Sequence, residues 1–294
     1  MDYRYFLAVI DSGSLAAAGE RLHIAPSAVS RQVALLEDSI GVPLFERRPR
    51  GMFPTAAGSA LADHARRASL EEQNVLSELR GGDYPGAKVI RLVSTEGLSR
   101  YFLPHVLIKH YEQLPTFRYV LDVMSPHECA EKVMRGDADV GLTFSTEPTE
   151  GVNVLHSSRS PIRAVMRAGH PLATLKPLSL CSLLPFPLAL TPKGTTQRQL
   201  FDLVCQMEGL KFNHVMTCNY SGAIHEFVRH SNTVAFGGAI SQRANDSDDL
   251  ISVPLSNPRF SDRAIKVLTM PKRSMPASLQ SFIDTLIACL KTVN

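Results

Sequence analysis

The chain has 294 residues, 44% of them hydrophobic and 20% charged, and a formal charge of +3. That length exceeds the usual span of one hydrophobic core, so two or more domains are expected. No apolar run approaches the roughly 18 residues of a membrane span, and the opening MDYRYFLAVIDSG lacks the cleavage pattern of a secretory leader, so a cytoplasmic protein with no membrane partner is expected.

Bulk charge does not single out the N-terminus. Residues 1–58 hold six arginines and six acids, which cancel, so any nucleic-acid argument there must rest on where charges stand. In RYFLAVIDSG, Phe6, Leu7 and Ile10 recur at helical spacing until Ser12-Gly13 breaks the pattern. Ser14 is placed to cap a second helix with Leu15, Ala18, Gly19 and Leu22 on one face. After His23-Ile24-Ala25, Pro26 suits the first position of a third helix that runs to Gly41. At 100° per residue Val29, Val33, Leu36 and Ile40 fall on one stripe, opposite Ser27, Ser30, Arg31, Ala34 and Asp38. Small residues around one long donor suit a helix whose backbone must approach another surface closely.

The apolar runs Val42–Phe45 and Met52–Phe53 flank the turn Arg48-Pro49-Arg50-Gly51 and predict a small β-wing. Thr55 caps a long helix to about Leu79, with Leu61, Ala65, Ala68, Val75 and Leu79 on a seam interrupted by Glu72 that suits one partner helix. Residues 80–86, RGGDYPG, read as a linker.

From residue 88 strands alternate with helices. VIRLVS, a helix over His105–Gln113, RYVLDVM, a helix over His127–Arg135, and DVGLTF form a βαβαβ unit with parallel strands. FPLALTP, TTQRQLFDLVCQMEGL, KFNHVMTCN, SGAIHEFVRH and TVAFGG form a second. The last strand AIKVLTM and helix ASLQSFIDTLIACL belong back on the first, which gives two lobes joined by crossings near residues 160 and 262.

Ligands of such two-lobed α/β domains sit at the carboxyl ends of strands, beside helix N-termini. The candidates are Ser94, Thr95, Ser125, His127, Thr143, Phe144, Thr191, Lys193, Thr195 and Ser221; taken singly, the hydroxyls serve equally well as helix caps. Donors of this kind around a cleft suit a small anion. Signals for catalysis and metal are weak. The histidines of HEFVRH are five apart and share no helix face, Asp137 and Asp139 sit at a turn, and the five cysteines form no C-x-x-C pair, so no metal or cofactor is expected.

The stretch YFLAVIDSGSLAAAGERLHIAPSAVSRQVALLEDSIGVPLFERRPRGMFPTAAG resembles the winged helix-turn-helix of LysR-type transcriptional regulators, and the rest, with RGDADVGL and AGHPLA, resembles that family's effector domain, similar to type II periplasmic binding proteins. The resemblance implies a winged helix-turn-helix over 1–58, a linker helix and hinge over 59–87, and an effector domain over 88–294, divided into lobe I (88–160 and 262–294) and lobe II (161–261). It implies a regulator, not an enzyme, that binds double-stranded DNA, pairs through its linker helices as a dimer or tetramer, responds to a small effector and has RNA polymerase as a further partner. Carried over by position, Ser27, Ser30 and Arg31 meet the major groove with Pro26 at the helix start, while Arg48 and Arg50 hold backbone or minor groove. Gln32 is expected to lean toward the buried stripe and touch phosphate. The alternative is a cytosolic small-molecule binding module whose N-terminal segment makes protein contacts.

Overall fold

The computed structural model describes residues 3–49, 51–80, 88–238, 240 and 249–293, with the backbone alone for 73–75, 77–80 and 293. Arg50, the linker residues 81–86 and the seam side chains of Val75 and Leu79 lie outside the described residues. The chain divides into two compact units, Met1–Arg80 and Gly81–Asn294.

The first unit comprises helices α1 (Arg4–Ser12), α2 (Leu15–Leu22) and α3 (Pro26–Ile40), strands β1 (Phe45–Arg48) and β2 (Gly51–Pro54), and helix α4 (Ala56–Arg80). Ser14 Oγ accepts from the Ala17 amide at 3.1 Å, the cap read from the sequence. The turn after α2 folds back on Gly19, where a Cβ would stand 2.8 Å from the Ile24 carbonyl oxygen, so only glycine lets α2 and α3 come this close. Val29, Val33 and Leu36 of α3 pack with Phe6, Val9 and Leu44 in the core of the unit. Glu37 accepts from the amides of Leu44 and Phe45 at 2.7 and 3.1 Å, tying the wing to α3.

Three local expectations need correction. Ile40 lies on the stripe by angle but is 37% exposed, because the last turn of α3 runs past the core. Val42 is also exposed and β1 begins only at Phe45. In α1 the buried residues are Phe6, Ala8 and Val9, because this helix is packed by α2, α3 and α4 and buries more than one stripe; Leu7 and Ile10 are half-buried.

The second unit has two lobes. Lobe I contains β3 (Lys88–Ser94), α5 (Glu96–Ser99), α6 (Phe102–Gln113), β4 (Phe117–Val123), α7 (Pro126–Arg135), β5 (Val140–Ser145), β6 (Asn153–Arg159), β12 (Ala264–Thr269) and α10 (Ala277–Val293). Its sheet runs β4-β3-β5-β12-β6, parallel among β4, β3 and β5, with β12 antiparallel to both β5 and β6. Buried residues of α6 and α10, among them Val106, Phe282 and Leu286, cover one face of the sheet. Cys129 and Val133 of α7 pack with Val93 and Leu268 on the other.

Lobe II contains β7 (Ile162–Arg167), β8 (Leu188–Leu190), α8 (Thr196–Glu208), β9 (His214–Thr217), α9 (Ser221–Arg229), β10 (Ala235–Gly238) and β11 (Leu250–Pro254). It departs from a simple parallel repeat of lobe I. β8 and β9 pair in parallel, and a bridge from Leu188 to Val234 continues in parallel sense, but β10 and β11 lie antiparallel on either side of β7. β6, β7 and β11 were absent from the sequence reading; β6 is mostly exposed or half-buried and gives no apolar run. The last strand and helix do return to lobe I. Where the chain crosses between lobes, the Ser160 amide donates to the Arg263 carbonyl at 2.8 Å and Arg263 Nε donates to the Ser160 carbonyl at 2.9 Å.

Candidate nucleic-acid interface and ligand cleft

Helix α3 displays one face of the first unit. Pro26, Ser27, Arg31 and Gln32 are exposed and Ser30 is half-buried. No side chain caps the α3 N-terminus, where Ala25 precedes Pro26, so its first turn retains the partial positive charge that attracts phosphate. Gln32 does not lean into the core as expected. The buried stripe is narrow enough that a residue one position from Val33 stands in solvent. On the wing, Arg48 donates to Glu46 Oε2 through Nε and Nη2 at 3.1 and 2.6 Å, and its guanidinium lies 5.0 Å from the centre of the Phe53 ring. Arg48 is thus held in place, and its charge is shared with a carboxylate.

Between the lobes of the second unit lies a cleft of about 770 Å³. Of the residues expected to bind a ligand, Thr95, Ser125, Phe144, Thr191, Lys193, Thr195 and Ser221 line it. Ser94 does not. It is fully buried at the end of β3, with Oγ donating to the Thr95 carbonyl at 3.3 Å. His127 and Thr143 line a separate, adjoining cavity, because α7 and β5 present those positions on the side away from the cleft.

The structure also sorts the hydroxyls between capping and availability. Ser125 forms a capping box with Glu128, whose carboxyl is held low by hydrogen bonds from Ser125. Thr195 accepts from the Arg198 amide at 3.3 Å and shares a 2.7 Å hydrogen bond with Thr191. Ser221 donates to Glu96 Oε1 at 2.8 Å. Thr95 alone of this set is committed to nothing: it is buried, caps no amide, and its Oγ1 has no hydrogen-bond partner among the described residues. A buried hydroxyl in that condition costs free energy that a ligand atom can offset.

Arg263, Glu96 and Arg100 are not among the sequence candidates, and His225 is weighed there only as a metal ligand in HEFVRH. Arg263 is 2% exposed, stacks 4.1 Å from the centre of the Phe144 ring, and has no carboxylate partner among the described residues. Burial pushes its pKa down to about 9, so it remains a cation at neutral pH. Gly238 makes room for it, since a Cβ there would stand 2.6 Å from Nη2. His225 on α9 is buried, and burial together with Arg100 and Arg229 pushes its pKa down to about 4. Its Nδ1 lies 3.3 Å from Arg100 Nη1, which can only donate, so the neutral ring carries its proton on Nε2. Glu96 and Arg100 complete the set. Lone charged residues at a crossing or a helix end carry no periodicity, and that is why they were missed. His230 is engaged elsewhere, on Glu226 at 2.9 Å. Asp139 forms a buried ion pair with Arg273 at 2.9 Å.

No helix among the described residues is long and apolar enough to cross a membrane. Residues 1–59 match the model of the bacterial regulatory helix-turn-helix protein, lysR family, and residues 85–290 match the LysR substrate binding domain. The HTH-type transcriptional regulator cbl of Escherichia coli strain K12 is 30% identical over 221 residues, covering 73% of this chain and 69% of that protein. Full-length OxyR from Pseudomonas aeruginosa superposes with a TM-score of 0.63 at 18% identity, covering 97% of this chain and 93% of the other. CbnR in complex with its target DNA superposes with a TM-score of 0.54 at 22% identity, covering 98% and 99%. A displayed helix, a wing, and a two-lobed domain with an open cleft thus coincide with two family models that together span most of the sequence: the chain belongs to the LysR family of DNA-binding transcriptional regulators, with an effector-binding domain.

Proposed function

We propose that this regulator is gated by a small organic anion bound between the lobes, with Arg263 as the receptor for its negative charge and Thr95 as a hydrogen-bonding partner. The observation that carries this reading is a fully buried guanidinium in the cleft wall with no carboxylate partner among the described residues. A buried charge left unpaired is costly, and an anionic ligand supplies the missing partner. Lys193 adds a second cation to the same cleft, while its acids are engaged, Glu96 with Ser221 and Glu128 with Ser125. Arg263 also clasps Ser160 at the crossing, so an anion that draws on the guanidinium acts directly on the hinge.

On the DNA side, Ser27, Ser30 and Arg31 read bases in the major groove from α3, Gln32 and the uncapped helix start meet phosphate, and the wing arginines hold the backbone. The protein works in the cytoplasm as an oligomer paired through α4. The test is a thermal-shift screen of the full chain against aliphatic and aromatic carboxylates. An acid that raises the melting temperature of the native chain and does nothing for Arg263→Gln supports the proposal. Equal shifts in both proteins, or none with any acid, overturn it.

A further inference from the structure

The cavity that holds His127 and Thr143 measures about 970 Å³ and shares Ser125, Phe144 and Thr196 with the central cleft as a common wall. Its chemistry is different. Thr143 is 2% exposed, and its hydroxyl has no partner among the described residues. The sides are apolar, formed by Ala130 and Met134 of α7 and by Leu200 and Leu203 of α8, and Leu203 is 43% exposed. The rim carries Glu147, Glu150 and Asp262 against one arginine, Arg259, which donates to Asp262 at 3.1 Å. Glu147 and Glu150 make no ion pair among the described residues. Lys266, opposite Thr143 in the β12–β5 pair, bonds the Glu147 carbonyl and Thr149, and His127 lies 3.8 Å from Glu131. The positive N-terminus of α7 is offset by the Glu128 carboxylate of its own capping box.

We propose that this outer cavity is a second ligand site, distinct from the anion cleft, and that it takes a small organic amine. The ammonium sits between Glu147 and Glu150, the apolar body lies between α7 and α8, and a polar group at the far end reaches the Thr143 hydroxyl. The walls come from both lobes, so such a ligand bears on the same opening and closing that the anion controls.

The test is isothermal titration of the full chain with tyramine, which carries an ammonium, an apolar ring and a distal hydroxyl, beside phenethylamine, which lacks the hydroxyl. Saturable tyramine binding is expected. The double substitution Glu147→Gln, Glu150→Gln weakens it about tenfold, the sum of two exposed charge contacts. Thr143→Val weakens tyramine about fivefold, as for one lost hydrogen bond, and leaves phenethylamine unchanged. The melting temperature of Thr143→Val stays at that of the native chain, because the hydroxyl bonds nothing among the described residues. Thr95→Val, which alters the anion cleft without touching the hinge, leaves amine binding intact, which separates this site from the anion cleft. Absence of saturable amine binding, or amine binding that follows Thr95 and ignores Glu147, Glu150 and Thr143, overturns the proposal.

Discussion

Ser221 of lobe II donates a 2.8 Å hydrogen bond to Glu96 of lobe I, directly across the mouth of the cleft. Arg100 and His225 make a second link between the same elements at 3.3 Å. These two contacts hold the lobes in the arrangement described. Ser221→Ala removes one charge-assisted hydrogen bond, worth about 1.5 to 3 kcal/mol when intact. The expected outcome is a more open effector domain, read as a larger radius of gyration by small-angle scattering. A scattering profile identical to that of the native chain would show that the bond does not hold the lobes.

The histidine at that link sets a pH dependence. His225 has an ordinary pKa of 6.5 and a folded value of about 4. Above pH 6.5 both the folded and unfolded states are neutral there, so the residue contributes nothing to the slope. Between pH 6.5 and 4 the unfolded chain takes up the proton first, and stability falls as pH falls, by at most about 3 kcal/mol. Burial lowers His110 and His170 as well, which adds in the same direction. Urea unfolding across this range should show a shallower decline in His225→Asn than in the native chain.

On the DNA side, Arg31→Ala should relax base discrimination at one position by about 1 to 3 kcal/mol, whereas Arg48→Ala should weaken all sequences alike and reduce the salt slope by about 1. The Glu46 carboxylate on Arg48 adds a third arm. Glu46→Gln frees the guanidinium and should strengthen non-specific binding. Salt-dependent gel shifts on specific and scrambled duplexes distinguish these roles; uniform losses from both arginine substitutions would refute the division.

The side chains of Asp139 and Arg273 are each 2% exposed, and Asp139 Oδ2 also accepts from the Arg91 amide at 2.8 Å. Asp139→Ala therefore strands a buried guanidinium and should destabilise the effector domain by about 3 to 5 kcal/mol in urea unfolding. A loss under 1 kcal/mol would mean that water reaches the site.

Periodicity and turn chemistry made most of the architecture legible in the sequence. The helix-turn-helix, the Ser14 and Thr55 caps, the return of the last strand to lobe I and seven of the ten cleft candidates follow from them. What they do not carry is position along an axis. Ile40 has the right angle and the wrong height. They also miss strands that face solvent on much of their surface, such as β6, and residues whose role comes from a long-range encounter. Arg263 meets Ser160 across 103 positions of sequence, and Ser221 meets Glu96 across 125. The cleft hydroxyls were visible because helix starts announce them; the arginine among them was not.

Gly238 confines Arg263 against Ser160 at the crossing of the lobes. Under the proposed gating one guanidinium serves as both bearing and receptor, and the two duties are tied together. On that reading, a change in the charge of the inducer requires a change at the pivot as well. On the same reading, changing the cleft hydroxyls while Gly238 and Arg263 stay is expected to alter which acid is bound and to leave the response in place.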